Sequence, residues 1–171
     1  MTPDLALTLG KAIAYFFKKE KAGSHIITGK DTRLSSDMIE YALISGICSN
    51  GVNVLHSNIL PTPAVAYLTR SSNAIAGVMI SASHNPFYDN GIKIFGNDGF
   101  KLSDQEEEKI EAMLSSDFKS KTLYSEIQDI GIALFNYDAE DRYSQFLMNS
   151  LPKNFTASGL KAVLDCSNGA T

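Results

Sequence analysis

The sequence predicts an α/β fold in which a mixed, mostly parallel sheet is flanked by helices. Three observations carry that prediction. Capped helical segments alternate with short apolar runs in the order helix, strand, helix, strand, helix, strand. Polar, glycine-containing loops follow the carboxyl ends of two of the apolar runs, where open α/β sheets place their ligands. The 171 residues are 44% hydrophobic and 20% charged, enough to bury a core in the manner of ordinary globular protein.

The elements follow in chain order. Thr2-Pro3-Asp4 reads as a helix start, with Thr as N-cap, Pro at the first helical position and an acid in the first turn. Leu5, Leu7, Leu9, Ile13, Phe16 and Phe17 continue at helical spacing, and the basic residues place the end near Lys21. A short strand, His25 to Thr28, leads into Gly29-Lys30-Asp31-Thr32-Arg33-Leu34-Ser35-Ser36. A helix from Asp37 to Asn50 is stopped by Asn50-Gly51. Val52 to Leu55 starts a second strand, with His56 at its far end as a structural residue. Pro61-Thr62-Pro63 opens a helix over Ala64 to Thr69, and Ala74 to Ile80 has the length and bounds of a buried strand.

Next comes a dense polar cluster, Ser81-Ala82-Ser83-His84-Asn85-Pro86-Phe87-Tyr88-Asp89-Asn90-Gly91, before the apolar Ile92 to Phe95. Pro86 and Asn90-Gly91 are turn signals, so these polar groups lie on a loop between two strands. In a strand, Lys93 would face away from Ile92 and Ile94 and could point back toward the loop. Gly96 to Gly99 is a hairpin-type turn, Ser103-Asp104 caps an acidic helix over Gln105 to Leu114, and residues 115–129 carry little pattern. The Glu106-Glu107-Glu108 run fits a solvated helix start, not a metal site. A helix over Asp138 to Ser150 leads toward a last segment, Leu160 to Thr171, that reads as a strand and a glycine turn.

Two loops hold the available chemistry. Ser83 is a hydroxyl that becomes nucleophilic if a neighbour accepts its proton, and His84, Asp89 and Lys93 are ionisable neighbours in the chain. The Gly29–Ser36 loop carries Lys, Arg and serines between a strand and a helix, which suits an anion. Residue types alone leave two readings open for each loop: a reactive site, or a solvated polar turn with His84 and Lys93 as ordinary surface residues, in the Ser83 loop; an anion site, or a capped loop with Ser35 or Ser36 as N-cap and Arg33 in a structural ion pair, in the other.

Several classes are disfavoured or excluded. A net charge of −4 offers no electrostatic case for nucleic acid or an anionic membrane as a partner. No apolar run is long enough to span a bilayer, no secretory pattern opens the chain, and no internal repeat or low-complexity tract is present. Cys48 and Cys166 lack metal-ligand spacing and read as reduced thiols of a cytoplasmic protein.

Ser81-Ala82-Ser83-His84-Asn85-Pro86, followed by Tyr88-Asp89-Asn90-Gly91-Ile92-Lys93, resembles the phosphoserine loop of the α-D-phosphohexomutases. Within them it is most similar to the bacterial branch that acts on glucosamine phosphate. Met1 to Leu7, Gly29-Lys30-Asp31-Thr32-Arg33 and the Pro61 to Arg70 run resemble that branch too. The last residues resemble the opening of the family's second domain, and the segment that precedes the first helix in the family does not precede it here. The expected division is residues 1–137 as the family's first domain and 138–171 as a connecting helix and the start of a second.

The resemblance implies an isomerase that interconverts glucosamine 6-phosphate and glucosamine 1-phosphate through a phosphoserine and a bisphosphate intermediate, for amino sugar and cell-wall precursor synthesis. It implies Ser83 as phosphate carrier, Lys93 as general acid/base or charge stabiliser, and His84 as a positioning hydrogen-bonder. Arg33, Ser35 and Asn85 would serve the phosphate. Mg²⁺ would be held by Ser83 through its phosphate, together with aspartates of the second domain, which are not in this sequence. The fragment alone is expected to be inactive, its partner a small hexosamine phosphate, with homo-oligomerisation of the complete protein left open. Alternatives are a mannose- or glucose-phosphate enzyme of the same superfamily, and a non-catalytic phosphosugar-binding module.

Overall fold

Thr2 caps the first helix, its hydroxyl accepting from the Leu5 N–H at 3.3 Å, and α1 runs over Pro3–Phe17. The computed structural model describes residues 1–18, 25–114 and 126–170. Within them α1 closes at its C-cap Lys18, whose N–H bonds to the Ala14 carbonyl at 2.8 Å; the end expected near Lys21 lies outside the described residues.

Among the described residues five strands follow, β1 (His25–Lys30), β2 (Asn53–Ile59), β3 (Ala76–Ile80), β4 (Ile92–Gly96) and β5 (Ala133–Phe135), in the spatial order β4-β3-β1-β2-β5. β1, β2, β3 and β5 pair in parallel, and β4 alone runs antiparallel, beside β3. The mixed, mostly parallel sheet is therefore as the sequence predicts. Its helices are α2 (Ser36–Ser49), α3 (Thr62–Ser71), α4 (Asp104–Ala112) and α5 (Ala139–Asn149).

Alternation along the strands divides the core between two faces. Ile26, Val54, Val78 and Ile94 pack with Leu9 and Ile13 of α1, Leu43 and Ile47 of α2 and Ile110 of α4. Ile27, Met79 and Phe95 point the other way, toward Val65 and Leu68 of α3 and Ala139 of α5. Gly10 and Gly46 let α1 and α2 meet backbone to backbone: a Cβ at Gly10 would lie 2.2 Å from the Leu43 carbonyl oxygen. A Cβ at Gly46 would lie 2.1 Å from that of Leu7.

Three differences from the sequence reading have physical reasons. β2 extends to Ile59, so His56 lies inside it, paired with Thr28 and Phe135, its ring edge-on to Phe135 at 5.0 Å. β5 was not foreseen: it is three residues long and exposed, without alternation, and only its pairing to β2 defines it. The strand expected within Leu160 to Thr171 does not form over the described residues; residues 160–165 are exposed, and no described strand pairs with them. α5 packs on α3 through Tyr67, stacked on Phe146 at 4.2 Å, and through Arg142, which donates to the Ser71 and Ser72 hydroxyls at 3.0 and 3.1 Å.

The start of α2 is tied to β1 by a buried pair, Lys30 and Glu40, with the exposed Asp37 beside it. Lys30 Nζ lies 2.7 Å from Glu40 Oε2 and 2.6 Å from Asp37 Oδ1, and the Thr28 hydroxyl donates to Glu40 Oε1 at 2.9 Å. Burial alone would lower the Lys30 pKa, but its hydrogen bonds to Asp37 and Glu40 outweigh that and raise it.

Candidate phosphate-transfer site

β1 and β3 are neighbours and parallel, so their carboxyl ends deliver two loops to the same place. The junction is tight, with the Asp31 N–H donating to the Ile80 carbonyl at 3.0 Å. From there residues 81–91 loop out and return antiparallel into β4. Asn85 N–H to Ala82 O at 3.1 Å and Asp89 N–H to Pro86 O at 3.0 Å form two successive turns within the loop.

Ser83 stands exposed on this loop with φ at +58°, a left-handed conformation that a residue with a Cβ rarely adopts. Its hydroxyl oxygen is 3.3 Å from His84 Nδ1. The serine hydroxyl and the histidine ring are thus neighbours at the tip.

Arg33 crosses from the β1 loop and engages all of its guanidinium N–H groups. Nε donates to Asp31 Oδ2 at 2.9 Å; one terminal nitrogen donates to Pro86 O and Asp89 O at 2.6 and 3.1 Å; the other donates to Ser83 O and Asn85 O, both at 2.9 Å. Arg33 therefore lends the site its charge while its hydrogen bonds shape the loop. The Ser35 hydroxyl is likewise engaged, donating to Asn90 Oδ1. Neither is an uncommitted donor awaiting a phosphate in this conformation.

Asp31 is the residue that the sequence reading passed over. Its Oδ1 accepts from the Ser36 hydroxyl at 3.0 Å and the Arg33 N–H at 3.2 Å. Burial would raise its pKa, but the hydrogen bonds from Ser81, Arg33 and Ser36 prevail and hold it below the usual value. The bond from an Asp to the N–H two residues on is a turn signature that Asp31-Thr32-Arg33 carries in plain sequence.

The loops wall a cleft of about 970 Å³ lined by Asp31, Arg33, Ser83, His84, Asn85 and Phe87, with Thr62 at the start of α3 and residues 166–170 across from them. The Thr32 hydroxyl donates to the Asn168 carbonyl on that side. Ser83, His84, Asn85 and Arg33 are thus brought together as predicted. Lys93 sits half-buried in β4 opposite Met79, on the face away from Ile94 as its spacing predicts. Met79 lines the cleft, whereas Lys93 does not. Among the described residues no three His, Cys, Asp or Glu side chains gather to hold a metal ion.

The family described as phosphoglucomutase/phosphomannomutase, alpha/beta/alpha domain I, matches residues 1–121. A phosphoglucosamine mutase of Syntrophus aciditrophicus is 51% identical over 171 residues, covering 100% of this chain and 38% of the relative. One of Pelobacter propionicus is 52% identical over 171 residues, covering 99% and 38%. The chain thus spans about 38% of the length of these curated relatives. Among solved structures, a phosphoglucomutase/phosphomannomutase family protein from Burkholderia thailandensis superposes with a TM-score of 0.72 at 21% identity, over 88% of this chain and 32% of that one. A phosphoglucomutase from Paramecium, parafusin, gives 0.64 at 15% identity, over 85% and 31%. These two likenesses bear on the fold alone.

Proposed function

Because the chain belongs to the phosphoglucomutase/phosphomannomutase family, we propose that Ser83 carries a phosphoryl group that is exchanged with a hexosamine monophosphate. The relatives near 50% identity favour the interconversion of glucosamine 6-phosphate and glucosamine 1-phosphate. The single observation that carries the reading is the exposed Ser83 hydroxyl, set at the mouth of the cleft in a left-handed turn beside His84.

In the forward step the bond from phosphorus to Ser83 Oγ breaks and a bond from phosphorus to a sugar hydroxyl oxygen forms. The hydroxyl proton leaves to a base, and the serine oxygen keeps the electron pair of the broken bond. In the return step the bisphosphate, turned end for end, gives its other phosphoryl group back to Ser83 Oγ. A phosphoserine carries roughly −1.5 to −2 charges at neutral pH, so opposing charge and in-line alignment decide the rate. Arg33 supplies charge behind the loop, and the N-terminal end of α3 at Thr62 faces the same cleft, where a helix dipole favours an anion. His84 orients the oxygen, Asn85 lines the entry for a phosphate, and Lys93, paired with the cleft residue Met79 but outside the lining, is assigned the proton or the charge on the family likeness alone.

The family's Mg²⁺ is served only in part by these residues. A phosphate on Ser83 would offer one oxygen donor, and the described residues do not complete the set. We assign residues 1–137 to the family's first domain and 138–171 to a connecting helix and the start of the next. No described helix is long and apolar enough to cross a membrane.

Intact-mass measurement and peptide mapping on the complete chain test the reading. One phosphate on Ser83 after incubation with a hexose bisphosphate and Mg²⁺ is the expected result. Its absence would turn the assignment toward a non-catalytic phosphosugar-binding domain. Competition among glucosamine, glucose and mannose phosphates then assigns the sugar.

A further inference from the structure

Ser83 is held in an unfavourable backbone conformation, and both peptide groups that flank its Cα lead back to one carboxylate. On the amino side, the Ser83 N–H donates to the Ser81 hydroxyl oxygen at 3.0 Å, and that hydroxyl is beside the Asp31 carboxylate, whose pKa it helps to lower. On the carboxyl side, the Ser83 carbonyl accepts from Arg33 at 2.9 Å, and Arg33 Nε donates to Asp31 Oδ2 at 2.9 Å. The torsions φ and ψ of Ser83 are the rotations between those two peptide groups. Fixing both groups from one point fixes the torsions.

We infer that Asp31 is a positioning residue for Ser83, holding one flanking peptide group through Ser81 and the other through Arg33. On this assignment Arg33 acts on the loop, not as a ligand of the substrate's phosphate, which accounts for its engagement with the carbonyls of Ser83, Asn85, Pro86 and Asp89. Both side chains are largely shielded from solvent, with 13% of Asp31 and 10% of Arg33 exposed, so water competes weakly for the bond between them. Position matters because in-line transfer tolerates little displacement of the reacting oxygen. Ser36, also bonded to Asp31, anchors the same point to the start of α2.

The inference rests on the phosphoserine reading, and the experiment separates the two. Arg33→Ala, Arg33→Lys and Asp31→Asn are made in the complete chain and compared with the wild type. Steady-state kinetics should show kcat lowered about 100-fold in Arg33→Ala with KM for the sugar phosphate within about threefold, the pattern of a misplaced nucleophile. Guanidinium ion added to Arg33→Ala should restore part of kcat, and Arg33→Lys, which cannot span four carbonyls and a carboxylate, should not behave as wild type.

A second readout needs no activity. Phe87 and Tyr88 are 81% and 69% exposed on the same loop, so chymotrypsin cleavage after them reports its order. Cleavage there should quicken about tenfold in Arg33→Ala and Asp31→Asn, with cleavage elsewhere unchanged, as expected for a local opening. Unchanged loop cleavage, or a loss carried by KM with kcat intact, would overturn the inference. Absence of phosphate on wild-type Ser83 would instead overturn the functional reading, while the protease comparison would still decide the role of Asp31.

Discussion

Ser81 and Gly91 close the base of the loop by direct backbone contact. The Ser81 N–H donates to the Gly91 carbonyl at 2.9 Å, and a Cβ on Gly91 would lie 2.7 Å from the Ser81 carbonyl oxygen. The two strands that bear the site are therefore as close as a backbone pair allows at the point where the loop leaves them.

Gly91→Ala should consequently force the loop's base apart. The obstructing atom is backbone, so relief requires a shift of β3 against β4, at a cost of about 1–3 kcal/mol as for other overpacked positions. Urea denaturation measures this, and a variant as stable as the wild type would show that the base is more yielding than its geometry implies.

Ser83→Gly separates chemistry from folding. Glycine adopts a φ of +58° without the steric cost borne by serine, so stability should stay within about 1 kcal/mol of the wild type. Phosphoryl transfer by the complete chain should vanish with the hydroxyl. Retained phosphorylation of the chain in this variant, found by mass spectrometry, would place the carrier elsewhere.

Removal of Glu40 should be among the most damaging single changes. Its side chain is wholly buried and pairs with Lys30, which is itself 5% exposed. Glu40→Ala should cost about 3 kcal/mol, the low end for breaking a buried pair, because Asp37 still faces the ammonium. The raised Lys30 pKa adds a pH signature. Its stabilisation is complete below the unfolded value of 10.5 and is lost as pH rises through the still higher folded value. Denaturation curves across that range should show the decline in wild type and not in Lys30→Met.

Acid should act in two separate windows. Burial lowers the pKa of His25, whose Nε2 has no hydrogen-bond partner among the described residues. The unfolded chain takes up that proton first, so stability begins to fall as pH drops below about 6.5. The lowered pKa of Asp31 contributes stability above the unfolded value of 3.8 that is lost as pH falls through the folded one. His25→Phe should flatten the first window and leave the second, as followed by urea titration at stepped pH.

Much of this was legible in the chain because local rules and tertiary structure agree. Thr2-Pro3-Asp4 started a helix, Asn50-Gly51 stopped one, and the alternation at Ile92-Lys93-Ile94 placed Lys93 opposite the isoleucines. The meeting of the Arg33 and Ser83 loops followed from parallel strands ending on one side. The direction of the Arg33 hydrogen bonds was not legible, since an arginine in a polar loop serves a phosphate or a row of carbonyls equally well. β5 was hidden because three exposed residues leave no period to read, and the buried Lys30–Glu40 pair because its partners are ten residues apart on different elements. Asp31 was missed for a related reason: its partners Ser81 and Ser36 meet it only in the folded chain.

The engagement of Arg33 with four carbonyls has a consequence for anyone wishing to transplant the loop. Its acceptors, at residues 83, 85, 86 and 89, fix the spacing of the tip as well as its direction. Residues 81–91 grafted onto another hairpin would deliver a serine in the right order of sequence but free to relax into an ordinary extended backbone. The portable unit is larger and discontinuous: Asp31 to Ser36, Ser81 to Gly91, and two adjacent parallel strand ends to hold them in register. An insertion of even one residue between Ser83 and Asp89 would desynchronise the acceptors from their donor, so variation in length is tolerable only outside that interval.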